Sequence, residues 1–231
     1  ASAGDVNGDG YADLVVGAPG EDVGEKANAG WAVVLRGGPR GLTSSGAQSW
    51  RQGRGDVPSQ PEQGEAFGSA LAVGDVNGDG VDDLAVQVVR EADSPLMEGS
   101  HGVELHSAAF HVLFGGRYGL TSQGGQYFLA VDLVDWHYWP CCTTMAFADF
   151  DGDGHADLAL GSDHFAVVLH GHADGLHPAD LPSAGGVAPG VDAVWSGIGT
   201  GDEAVAGAVV AGDITGDGYA DLVGQGPGDW A

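Results

Sequence analysis

The chain has 231 residues, 43 of them glycine, and its 33 Asp and Glu face only 7 Lys and Arg, for a formal net charge of −26. Such a surface repels phosphate backbones and anionic membranes, which excludes nucleic-acid binding and polybasic lipid docking. Glycine follows no G-x-y period and helix formers are scarce, so collagen is excluded and an all-β chain with many tight turns is expected.

The first element in chain order is an acidic loop. Asp5, Asn7 and Asp9 place oxygen at alternate positions, Gly10 follows, Tyr11 takes position seven and Asp13 position nine. Alternation with a sharp glycine bend lets a short loop curl until its side chains converge on one point. Calcium suits that geometry, because it takes six to eight oxygens at roughly 2.3–2.6 Å with little angular demand, one of them a backbone carbonyl at position seven. Without a cation, clustered carboxylates repel one another.

The pattern returns at Asp75, Asn77, Asp79, Val81 and Asp83, at Asp149, Asp151, Asp153, His155 and Asp157, and at Asp213, Thr215, Asp217, Tyr219 and Asp221. One such loop reads equally well as a solvated acidic turn; four in register do not. About four structural Ca2+ ions are expected, with magnesium second because of its strict octahedral demand. Four divalent ions would offset only eight of the excess negative charges, so the surface stays acidic.

The competing reading is an EF-hand, which needs a bidentate Glu at position twelve and a helix on each side. Position twelve here is Val16, Val86, Leu160 and Gly224. The flanks Leu14-Val15-Val16, Leu84-Ala85-Val86 and Leu158-Ala159-Leu160 are short apolar runs bounded by glycine, which suit strands. These are strand–loop–strand sites.

The first aspartates lie at 5, 75, 149 and 213, a period above fifty that points to a propeller or array of multi-strand units. A second repeat keeps the same frame. The apolar runs 30–37, 110–115 and 165–171 each lead, through a turn of constant length, into Gly41-Leu42, Gly119-Leu120 and Gly175-Leu176. One unit therefore reads as strand, acidic loop, strand, variable connection, strand, glycine turn, strand. In the second unit these fall near 67–74, 75–83, 84–88, 107–114, 115–121 and 125–130. Four antiparallel strands per repeat make one propeller blade.

With Phe67-Gly68 before one loop and Gly17-Ala18-Pro19 after another, the unit resembles the FG-GAP repeat. That family forms seven-bladed β-propellers, known from the heads of integrin α chains and from secreted bacterial proteins. The resemblance implies structural calcium loops and a secreted or cell-surface location. The third unit departs from it with Ala146-Phe147 and Gly161-Ser162, the fourth with Ala206-Gly207 and Gly226-Pro227. No strand is expected before Asp5. The chain then divides into a partial blade 1–51, blades 67–130 and 143–182, and a partial blade 204–231. That is about three and a half blades of a larger propeller.

In a propeller the acidic loops lie opposite the long connections 17–29, 52–66, 89–106, 131–142 and 183–203. Binding chemistry is expected on those connections. Trp136, His137, Tyr138 and Trp139 are the candidate ligand-binding residues there, against a packing role that aromatics at a blade junction fill as well. Trp50 and Trp195 are expected to pack. Arg54-Gly55-Asp56 spells a known integrin ligand, but abundant Gly and Asp favour coincidence. Cys141 and Cys142 can form a vicinal disulfide, pair elsewhere, join His137 in a metal site or stay as thiols; zinc is disfavoured because four ligands at recognised spacings are wanting. The His170-Gly171-His172 turn is expected to be solvent-exposed. No nucleophile elbow, Walker loop or dinucleotide fingerprint names a catalytic residue. No run of about eighteen apolar residues marks a membrane span, and no signal-peptide pattern opens the sequence.

The function expected is an extracellular calcium-stabilised binding or adhesion module for protein or glycan ligands. The alternative is an extracellular hydrolase, or a non-catalytic propeller fused to one.

Overall fold

The computed structural model describes residues 1–92, 97–98, 104–105, 107–130, 144–161, 166–177, 191–192 and 209–224. The chain divides into two compact units, Ala1–Asp75 with Asp79–Pro140, and Val76–Gly78 with Cys141–Ala231.

The first unit holds two antiparallel four-stranded sheets. In one, β1 (Ser2–Gly4), β2 (Asp13–Ala18), β3 (Trp31–Arg36) and β4 (Thr43–Trp50) pair in chain order. The other uses β5 (Leu71–Gly74) and β6 (Asp83–Val88). After the small hairpin β7 (Met97–Glu98) and β8 (Glu104–Leu105), it continues with β9 (Ala109–Phe114) and β10 (Thr121–Leu129). The expected absence of a strand before Asp5 is corrected here. Ser2, Ala3 and Gly4 pair with Val15, Leu14 and Asp13. Three small residues carry no apolar alternation, so periodicity does not reveal them.

Central strands carry the core. Every residue of β6 is buried, as befits a strand with neighbours on both edges and side chains covered on both faces. Its Leu84, Val86 and Val88 join Val15, Val34, Trp50, Phe67 and Leu113 in one cluster. Trp50 packs as expected.

Phe67-Gly68 and Gly17 meet where the first sheet passes the start of the second. A Cβ on Gly17 would lie 1.9 Å from the Gly68 carbonyl oxygen, and Gly68 itself sits at φ +87°. Both positions therefore require glycine, one for close backbone approach and one for a left-handed conformation. Beside them Gly30 forms a parallel bridge with fully buried Phe67.

In the second unit, β11 (Thr144–Ala148), β12 (Asp157–Gly161) and β13 (Ala166–Leu169) pair in order. The glycine turn folds into the hairpin β14 (Gly171–His172) and β15 (Gly175–Leu176). The fourth strand of this sheet is β16 (Val191–Asp192), whose residues pair with Val168 and Leu169. This sheet runs past the expected limit of 182, because its last strand follows a connection longer than in the first two sheets. The last two strands, β17 (Val209–Gly212) and β18 (Asp221–Gly224), form a two-stranded antiparallel sheet. No helix among the described residues is long and apolar enough to cross a membrane.

Candidate metal centre

All four acidic loops are built on one hydrogen-bond scaffold. The first aspartate turns inward and accepts backbone N–H groups of its own loop. Asp5 accepts from Asp9 at 3.1 Å and Gly10 at 2.7 Å, and Asp75 from Asp79 at 3.0 Å and Gly80 at 2.8 Å. Asp149 accepts from Gly152 and Gly154, and Asp213 from Gly216, Asp217 and Gly218. The third donor then accepts the N–H two residues on, in the pairs Asp9–Tyr11, Asp79–Val81, Asp153–His155 and Asp217–Tyr219, all at 2.9 or 3.0 Å. The curl depends on the intervening glycines: Gly10, Gly80, Gly154 and Gly218 have φ between 85° and 95°.

The last aspartate of the first three loops is buried and tied to the next strand's turn. Asp13, Asp83 and Asp157 accept the N–H of Gly37, Gly115 and Gly171 at 2.7, 2.7 and 2.9 Å. At those glycines a Cβ would lie 2.1 to 2.5 Å from the carbonyl oxygen of Ala12, Asp82 or Ala156, which fixes the glycine of each turn. The second oxygen of Asp13 accepts from the Asn7 side chain at 2.9 Å, and that of Asp157 from the Phe150 N–H at 2.8 Å. Burial pushes the Asp157 carboxyl above its ordinary range, against the lowering pull of the Gly171 and Phe150 N–H groups. In the fourth loop Asp221 instead accepts from Thr215 and Ile214, and those two N–H groups hold it below the carboxylate range. The N–H of His155 lowers Asp153 in the same way.

These donors fit a hard cation. The convergence is seen in the third loop, where Asp149, Asp151 and Asp153 have oxygens within 4.8 Å of one another. At the position of Asp151 the other loops carry Asn7, Asn77 and Thr215, so only the third loop has a carboxylate there.

Two groups escape a reading of the sequence. Asp82, in position eight where the other loops carry alanine, accepts the Asp5 N–H at 2.7 Å, while the Asp82 N–H donates to the Asp5 carbonyl at 3.0 Å. Burial raises its pKa. The doubled Asp82-Asp83 is the available signal. His170, expected to be exposed, has a side chain only 15% exposed, with Nδ1 3.3 Å from Asp151 Oδ2 and 3.2 Å from Asp157 Oδ1.

In the first unit the connections gather at the other strand end. Gly64, Ala66 and Phe67 donate to the carbonyls of Ala27, Asn28 and Ala29, and Val89 donates to Glu65. Below them lies a buried polar network. Glu65 accepts the N–H groups of Glu62 and Ala92, and Glu91 accepts from the Gln52 amide and the Ser59 hydroxyl. Burial raises the Glu65 carboxyl to about 7. Arg54-Gly55-Asp56 occupies an exposed turn in which Arg54 donates to Ser49 Oγ and the Asp56 N–H to Ser122 Oγ. Trp136, His137, Tyr138, Trp139, Cys141, Cys142 and Trp195 lie outside the described residues.

The FG-GAP repeat family model matches residues 1–34, 67–87 and 143–175, and each span contains one complete acidic loop. This is an FG-GAP repeat chain. Its four-stranded sheets are accordingly β-propeller blades, and the described sheets form part of a propeller. The fourth loop lies outside the matched spans and is tied to the others by its shared hydrogen-bond scaffold. The chain is similar to phosphatidylinositol-glycan-specific phospholipase D of Bos taurus, at 33% identity over 158 residues, and of Homo sapiens, at 32% over 158 residues. Each alignment covers 68% of this chain and 17% of the relative.

Proposed function

We propose that this FG-GAP chain is an extracellular, calcium-stabilised propeller module that recognises a protein or glycan ligand through the connections opposite its acidic loops. The supporting observation is the four-fold repetition of one hydrogen-bonded acidic loop, whose carboxylates converge in the third copy. Asp5, Asn7, Asp9 and Asp13, with the carbonyl of Tyr11, are the first ligand set, and the corresponding residues of the other loops follow. Calcium bound there neutralises clustered carboxylates and ties two strands of one sheet together, so ion binding is coupled to folding. Calcium sites of the extracellular type and phospholipase relatives both favour a secreted or surface location.

A second reading, that the chain is the propeller portion of a hydrolase, is favoured by the similarity to the phospholipases D, of which it spans 17%. One experiment separates the two. Vesicles bearing a phosphatidylinositol-glycan are offered to the chain in calcium and in chelator, alongside a glycan array, and both retention and headgroup release are measured. Saturable, calcium-dependent retention without release supports recognition. Release by the chain alone supports a catalytic role, and neither retention nor array binding overturns the glycan half of the reading.

A further inference from the structure

Besides carrying Asp151, the third acidic loop differs from its counterparts at the glycine turn that meets it. The residue before the glycine that ties down the last aspartate is Arg36 in the first sheet, Phe114 in the second and His170 in the third. Of the three, histidine is the metal ligand. Its Nδ1 stands almost equidistant from Asp151 Oδ2, at 3.3 Å, and Asp157 Oδ1, at 3.2 Å. A single N–H donor serves one acceptor well, at about 2.9–3.0 Å, rather than two at longer range. Two donors on a tetrahedral ion, each about 2.0–2.1 Å from it, stand roughly 3.3–3.4 Å apart, which is the spacing found.

From this geometry we propose that His170, Asp151 and Asp157 form a mixed nitrogen–oxygen site for a zinc-class transition ion, with solvent in the fourth position. All three offer donor atoms within 4.8 Å of one another. The site is also braced. Gly171 N–H holds Asp157 Oδ1, Phe150 N–H holds its other oxygen, and Asp153 N–H holds Asp151 Oδ1. Such outer hydrogen bonds fix ligand orientation and raise affinity. Asp151 belongs both to this group and to the all-oxygen group with Asp149 and Asp153. The third loop therefore serves calcium when no transition ion is present, and imidazole shifts its preference toward zinc when one is. The proposal rests on the third loop being an ion site and adds the class of ion it selects.

The test uses the whole chain, stripped of metal and titrated with Co2+ as a visible probe and with Zn2+ as competitor. Wild type is compared with His170→Phe, which restores the residue of the second sheet, and with Asp151→Asn at a solvent-facing position. The expected result is a four-coordinate cobalt spectrum in wild type, displaced by zinc. Loss of a direct ligand should weaken the site by at least the about 10–100-fold that an outer-shell change costs, so both variants should lose the signal. Zinc should also lower the calcium stoichiometry of wild type by one, but not that of His170→Phe. A weak all-oxygen cobalt spectrum, or a strong one unchanged in His170→Phe, overturns the proposal. A cobalt signal that depends on His170 in a chain that binds no calcium supports this site while removing the calcium reading of the other loops.

Discussion

His111 makes stability fall as pH drops, because its imidazole is buried. It lies on β9, fully buried between Phe67 at 5.6 Å and Tyr127 at 5.0 Å, and neither ring nitrogen has a hydrogen-bond partner among the described residues. Burial lowers its pKa from 6.5 to about 4. Between those values the unfolded chain binds a proton that the folded chain refuses, so stability falls as pH drops from 6.5 toward 4. At about 1.4 kcal/mol per pH unit, the full window is worth about 3 kcal/mol, of which about 2–3 kcal/mol is lost by pH 4.5. His111→Leu keeps the volume and removes the titration. Urea unfolding of both proteins in saturating calcium at pH 7.0 and 4.5 isolates the effect, because every other titrating group is common to the two. Wild type should lose about 2–3 kcal/mol more than His111→Leu on acidification. Equal losses would show that the imidazole is protonated in place and that its burial has been misread.

Glu65 acts in the opposite sense. With its carboxyl raised from 4.5 to about 7, the folded chain holds the extra proton, so this group costs stability increasingly as pH rises from 4.5 to 7. Glu65→Gln should therefore gain on wild type across that range, and a pH-independent difference in unfolding free energy would contradict it. Asp13→Ala leaves the Gly37 N–H and the Asn7 amide without their acceptor, at a cost of about 2–3 kcal/mol in chemical denaturation. A loss under about 0.5 kcal/mol, within the range of an ordinary surface change, would count against that burial. Gly17→Ala drives a methyl into the Gly68 carbonyl and should cost at least about 1–3 kcal/mol; a melting temperature equal to wild type would refute the close contact. Asp79→Ala should remove one calcium from the stoichiometry measured by calorimetry and leave the other sites intact.

Much of this is legible in the sequence because the repeat is written twice in each unit, once in the acidic loop and once in the glycine turn. The spacing from Asp5 to Asp13 and from Gly37 to Gly41 shows that the two belong to one unit, but not that Gly37 N–H caps Asp13. That contact spans β2 and β3, and a single sequence carries no direct sign of it. Ser2–Gly4 is hidden because small residues give no period. The limit of the third blade is misplaced by sequence reasoning because β16 is two residues long and lies far from β13 in sequence. His170 reads as exposed because a glycine-flanked turn usually is, whereas here pairing of β12 with β13 sets it beside Asp157. Charged and imidazole groups meeting across strands are invisible to local pattern.

The most direct measurement is a calorimetric titration of the metal-stripped chain with Ca2+, with zinc excluded and a melting curve taken at each endpoint. About four ions bound, with a large rise in melting temperature, is the predicted result for loops that hold the blades together through calcium. A folded chain that binds no calcium, with the same melting temperature in chelator, would contradict it and leave the loops as acidic turns held by their own backbone hydrogen bonds.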